Sequence, residues 1–124
     1  MRLDLFCKVI DNFGDIGVCW RLAQQLQQEY ALQVRLWVDD LVAFKMLCPT
    51  LDLAAAVQTQ SGVLIQHWHA GAVFEDCADA VVEAFACDIP PAYLRLMAAQ
   101  EKPPIWLNLE YLSAEDWVDD CHLL

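Results

Sequence analysis

Three features predict an α/β fold, a Rossmann-like parallel sheet with helices on both faces. Segments that read as strands alternate with segments of helical period, the strands are almost uninterruptedly apolar, and Pro, Gly and Asp punctuate the breaks. Leu3 to Ile10 (LDLFCKVI) is the first strand, and Ile16, Cys19, Ala23, Leu26 and Tyr30 recur at the spacing of a first helix. Val34 to Val38 (VRLWV) is a second strand closing on Asp39-Asp40, followed by a short helix from Leu41 to Leu47 that Cys48-Pro49 stops. Leu51 to Gly62 lacks a clear period and is expected to be a connection; Val63 to Trp68 alternates as a third strand, and Ala80 to Ala86 is a fourth. Pro90 and Pro91 suit the first turn of a helix reaching about Gln100, with Asp88 placed to cap it. After Pro103-Pro104, Ile105 to Glu110 is a fifth strand, and Ser113-Ala114-Glu115-Asp116 resembles a capping box for a helix barely begun at Leu124. The expectation is one domain over residues 1–124 that ends inside a helix, as a truncated chain would.

A chain of 124 residues with 58% hydrophobic content and positive mean hydropathy has enough apolar material for a core, which excludes disorder. Five tryptophans in so short a chain also imply an apolar face that expects a partner. Seven basic against 18 acidic residues leave a net charge of −11, which repels nucleic-acid phosphates and anionic membrane surfaces and favours a cationic ligand group. No apolar run approaches the roughly 20 residues of a membrane span, and Met1-Arg2-Leu3-Asp4 lacks the architecture of a signal peptide. Cys7, Cys19, Cys48, Cys77, Cys87 and Cys121 sit inside apolar elements without a C-x-x-C pair and read as reduced core thiols. A cytoplasmic protein with no nucleic-acid or membrane partner is expected.

Chemistry is expected in Asp11-Asn12-Phe13-Gly14-Asp15-Ile16-Gly17, read as a turn between the first strand and the first helix. In open α/β sheets, ligands bind at the carboxyl ends of the strands. Asp11 and Asp15 lie four apart and can converge on one ligand, with Gly14 and Gly17 thinning the turn so that a ligand or backbone can approach. Their structural alternative is an Asx-turn at Asp11 and a helix cap at Asp15. A pyrophosphate site is disfavoured, since only G-x-x-G is present and Asp15 would meet it with like charge; Asp39 or Asp40 would be its ribose-binding acid, although a strand-end Asp pair is more often a solvated turn. A phosphoacceptor receiver is also disfavoured, because the third strand ends in His67-Trp68-His69 rather than in Asp. These histidines share a strand face but lack a third ligand at recognisable spacing, so no metal site is assigned. Glu83, inside an apolar strand, and Glu110, ending another, are candidates for the cleft; for Glu83 pairing with an Arg or a backbone amide is the alternative.

Four blocks then carry a resemblance: Phe6 to Leu22 (FCKVIDNFGDIGVCWRL), Leu36 to Asp40 (LWVDD), Glu83 to Pro90 (EAFACDIP) and Trp106 to Glu115 (WLNLEYLSAE). In this order the chain resembles the protein-arginine rhamnosyltransferases that modify translation elongation factor P. The resemblance implies a GT-B glycosyltransferase of two Rossmann-like domains, of which this chain would be the amino-terminal, acceptor-side one. It implies inverting transfer of L-rhamnose from dTDP-β-L-rhamnose to one arginine of elongation factor P, without a metal or other cofactor. Asp15 would be the general base and Asp11 the carboxylate that orients the guanidinium. Asn12, Phe13, Gly14, Gly17 and Glu110 would contribute to the acceptor pocket. Members of the family continue through a donor-binding domain absent here, so the chain alone is expected to be inactive, with a bare docking face that favours self-association. Two other classes remain open, a non-catalytic protein-binding α/β module and a nucleotide-cofactor oxidoreductase domain.

Overall fold

The computed structural model describes residues 1–9, 12–85 and 87–109, residues 12 and 13 by their backbone alone. The chain runs β1 (Arg2–Cys7), α1 (Asn12–Glu29), β2 (Gln33–Val38), α2 (Leu41–Lys45), β3 (Val57–Gln60), β4 (Val63–His67), β5 (Ala80–Ala84), α3 (Pro91–Ala98) and β6 (Ile105–Leu109). The strands form one sheet in the order β3-β4-β2-β1-β5-β6. β4, β2, β1, β5 and β6 are mutually parallel, and β3 pairs antiparallel with β4.

The sheet is therefore mixed rather than wholly parallel, and β3 lies inside the stretch read as a plain connection. Its sequence, Val57-Gln58-Thr59-Gln60, holds a single apolar residue, and its faces are alternately exposed and half-buried, as an edge strand permits. Ser61 (φ 51°) and Gly62 (φ 80°) turn it onto β4 through a two-residue loop with both central residues left-handed, the geometry whose twist suits a hairpin.

Alternation along the central strands sends side chains to two helix-covered faces. Leu3, Leu5 and Cys7 of β1 join Leu36 and Val38 of β2 beneath Ile16, Cys19, Trp20 and Ala23 of α1, and Trp20 meets Phe44 of α2 edge-on at 5.0 Å. On the opposite face Phe6, Trp37 and Val81 pack under Tyr93 and Met97 of α3. Phe6 contacts Tyr93 edge-on with ring centres 4.8 Å apart. At the sheet edge β6 leaves Ile105, Trp106 and Leu107 exposed, the apolar surface that the tryptophan-rich composition implied.

Two helix boundaries differ from the sequence reading. α1 starts at Asn12, so residues 12–17 are its opening turns rather than a loop, and Asp15 lies in the first helical turn instead of at the cap. Gly17 is consequently a helix residue in no special conformation, and a Cβ there would sit at an ordinary 3.8 Å from Leu47 Cδ1. Gly17→Ala is expected to stabilise the fold by about 0.5–1 kcal/mol through helix propensity, as read by urea denaturation. Asp88 does not cap α3: it is exposed at φ 60°, while Pro90 occupies the cap position without a side-chain bond. The predicted capping box at 113–116 and the helix it would open lie outside the described residues.

Near the amino ends of the strands, Asp76 bonds Arg2 Nη2 at 2.9 Å and Arg35 Nη1 at 3.2 Å. Partial burial opposes ionisation of Asp76, but the hydrogen bond from Arg2 and the two positive charges outweigh it and hold the carboxyl below its usual range. A depressed folded-state pKa stabilises above the unfolded carboxylate value of about 3.9 and ceases to do so as pH falls through the folded value. The melting-temperature gap between the parent and Asp76→Asn is thus expected to be small at neutral pH, the site being half exposed, and to close below about pH 4.

Candidate functional site

The carboxyl ends of the parallel strands carry the candidate site. Strand order reverses at β1, since β2 is added on one side and β5 on the other, and such a switch point opens a crevice between the loops that follow. A cavity of about 650 Å³ occupies it, within the size range of small-ligand pockets. Its wall is assembled from residues just beyond strand ends: Lys8 after β1, Asp39 after β2, Trp68 and His69 after β4, and Asp88 after β5, with Arg95 of α3 opposite.

Asp15 does not line this cavity; it lies on α1, which covers the other face of the sheet. It is 6% exposed in the first turn of α1, where the free amides and dipole of a helix favour negative charge. The neighbouring Cys19 thiol and burial push the Cys7 pKa well up, as do the charges of Asp15 and Asp39. A thiol that resists ionisation is a poor nucleophile, and Cys7 is read as packing. Cys87, lining the cavity, is likewise pushed up to about 12 by burial and by the charge of Glu83. The described cysteines 7, 19, 48, 77 and 87 are all free thiols, and Cys121 lies outside the described residues.

The acids at the end of β2 both accept backbone amides, Asp39 half-buried and Asp40 exposed. Asp39 Oδ1 accepts the Val9 amide at 2.8 Å and so fixes the segment leading from β1 toward Asp15. Asp40 Oδ1 accepts the Ala43 amide at 3.0 Å and caps α2. His67 Nε2 lies 3.0 Å from the Asp39 carbonyl oxygen, which anchors the β4 end to the same point. His69 is exposed and lines the cavity, its Nδ1 accepting the Gly71 amide at 3.1 Å. Among the described residues no group of three or more His, Cys, Asp or Glu is placed to hold a metal ion.

Glu83 adopts the backbone-bonded alternative, Oε1 accepting the Ile89 amide at 3.3 Å and bracing the connection from β5 to α3. That connection holds Phe85 (φ 56°) and Asp88 (φ 60°) in the left-handed region, a costly conformation for a bulky side chain. Of the residues expected to form the site, Asp15, Gly14 and Gly17 are placed on α1, with Asn12 and Phe13 at its start. Asp11 and Glu110 lie outside the described residues. Lys8, Trp68 and Arg95 are not singled out by the sequence; Trp68 ends a predicted strand, but Lys8 falls inside the predicted first strand, which the structure ends at Cys7.

No helix among the described residues is long and apolar enough to cross a membrane. Comparison with known proteins gives a consistent result. The family described as Elongation-Factor P (EF-P) rhamnosyltransferase EarP matches residues 3–124. A protein-arginine rhamnosyltransferase of Pseudomonas putida is 59% identical over 119 residues, covering 96% of this chain and 32% of the relative. One from Pseudomonas aeruginosa is 50% identical over 121 residues, covering 98% and 32%, and one from Neisseria meningitidis serogroup B is 46% identical over 123 residues, covering 97% and 31%. The chain thus spans about a third of the length of the curated relatives it matches. With a match that runs through β1, α1 and every strand of the sheet, the chain belongs to the EF-P rhamnosyltransferase EarP family.

Proposed function

We propose that the chain is the acceptor-side, Rossmann-like part of a GT-B glycosyltransferase that moves L-rhamnose from dTDP-β-L-rhamnose to an arginine of elongation factor P. The family match over residues 3–124 carries this reading, and the burial of Asp15 in the first turn of α1, the helix that follows β1, supports it. The acceptor is a translation factor, which locates the reaction in the cytoplasm.

Arginine sets the chemical problem. Its guanidinium is positive at neutral pH, with a reference pKa above about 12, and its electrons are delocalised over three nitrogens. Asp11 grips and orients the planar fork by charge-assisted hydrogen bonds, which favours one nitrogen as the nucleophile. That nitrogen attacks the anomeric carbon from the face opposite dTDP, the C–O bond breaks with its electron pair leaving on the diphosphate, and Asp15 takes the proton. Attack from the opposite face inverts the centre. Asn12, Phe13, Gly14 and Gly17 shape the acceptor side, and Glu110 borders it. The sugar nucleotide is held by the part of the enzyme that the matched third of the relatives does not include.

The test is a chimera in which this chain replaces the matching third of the Pseudomonas putida relative. Incubated with unmodified elongation factor P and dTDP-β-L-rhamnose, the chimera is expected to add one deoxyhexose by intact mass, while the 124-residue chain alone adds none. No addition by the chimera rejects the reading, and addition by the short chain rejects its two-domain form.

A further inference from the structure

We propose that Lys8 and Arg95 form an anion subsite in the crevice that receives an acidic side chain of the acceptor polypeptide. The proposal rests on the rhamnosyltransferase reading and adds to it how the acceptor is recognised. Its starting point is charge placement. The chain has only seven basic residues against 18 acidic ones. Arg2 and Arg35 are committed to ion pairs with Asp76 and Asp4, and Lys45 Nζ donates to the Leu51 carbonyl at 2.7 Å. Two of the remaining four, Lys8 and Arg95, come from opposite ends of the sequence and line one cavity. Neither has an ion pair or side-chain hydrogen bond among the described residues.

The cavity wall selects the kind of anion. Asp39 and Asp88 also line it, so its formal charge is balanced before any ligand enters. A diphosphate would bring at least two negative charges against these acids, whereas one carboxylate adds a single charge that Lys8 and Arg95 share through charge-assisted hydrogen bonds. Trp68 and Phe74 supply apolar surface for the hydrocarbon stem of an Asp or Glu and for the residue next to it. A local basic pair also answers a long-range difficulty: a surface of net charge −11 does not attract an acidic segment, so recognition of one needs positive charge at the point of contact.

The chimera tests this with Lys8→Gln and Arg95→Gln, and with Lys8→Arg and Arg95→Lys as charge-keeping controls. Both residues are exposed, and matched melting curves would verify that the variants fold. Each Gln variant is expected to raise KM for elongation factor P about tenfold, with kcat and the sugar-nucleotide KM changed less than about twofold, and the charge-keeping variants to recover most of the loss. An unchanged acceptor KM, or a rise in the sugar-nucleotide KM instead, overturns the subsite. If the chimera binds elongation factor P by calorimetry without transferring rhamnose, the transferase reading fails while a tenfold weakening by the Gln variants still sustains the subsite. Absence of any binding removes both.

Discussion

Asp15→Asn in the chimera is expected to lower kcat for rhamnosyl transfer by about 10²- to 10⁴-fold, the usual contribution of a positioned general base. Asparagine keeps the shape of the side chain, and Asp15 is buried at the start of α1, so the helix and its packing on β1 should survive. Affinity for elongation factor P should change little, because the proposed mechanism gives the grip on the guanidinium to Asp11 rather than to Asp15. Single-turnover mass spectrometry with calorimetry separates the two effects. Turnover equal to that of the parent would remove Asp15 as the base and leave its buried carboxylate a structural role. Asp11→Asn should cost turnover and acceptor binding together. If each variant retains part of the activity, the two carboxylates share the proton as a coupled pair.

The largest stability effect is expected at a site remote from this chemistry. Asp4 is 1% exposed in the middle of β1, yet its carboxylate is fully engaged. Arg35 donates to it from Nε and Nη2, both at 2.7 Å, and the Tyr93 hydroxyl donates at 2.5 Å. The Tyr93 hydroxyl also accepts the Ala78 amide at 3.1 Å, so one carboxylate links β1, β2, α3 and the entry to β5. Burial and the Asp4 charge both push the Tyr93 pKa up. Arg35, with its side chain 16% exposed and its guanidinium 5.1 Å from the Trp37 ring, would lose its two shortest bonds in Asp4→Ala and keep only the half-exposed Asp76 carboxylate at 3.2 Å. Breaking a buried pair from one side costs about 3–5 kcal/mol, a large share of the roughly 5–15 kcal/mol that holds a domain together. Tyr93→Phe removes only the hydroxyl and should cost about 1–3 kcal/mol. Urea denaturation orders the two, and an Asp4→Ala loss below that of Tyr93→Phe would refute the central role given to the carboxylate.

The strands that carry the core were legible because their residues are apolar in sequence. β4, β5 and β6 fall within predicted segments, β1 and β2 overlap theirs but begin one residue earlier, and α2 and α3 lie where the proline breaks put them. Errors collected where local preference is weak. The start of α1 was read as a turn because Gly14, Asp15 and Gly17 are poor helix formers, yet burial of Ile16, Cys19, Trp20 and Ala23 against β1 and β2 outweighs those propensities. β3 escaped notice because an edge strand needs only one partner and no apolar face. Asp88 looked like a cap from its distance to Pro90 and Pro91, but its left-handed backbone aims it elsewhere.

Periodicity, charge and the D-N-F-G-D segment are properties of neighbouring residues, so the sequence alone determined the α/β class, the buried faces and the family resemblance. Tertiary structure decided what depends on distant segments meeting. The antiparallel edge and the strand order that reverses at β1 are of this kind. So are the crevice that brings Lys8 to Arg95 and the partners of Asp4, 31 and 89 residues away in the chain. A strand's pattern shows that both its faces must be covered; which strands and loops cover them is settled by long-range packing, which no local pattern encodes.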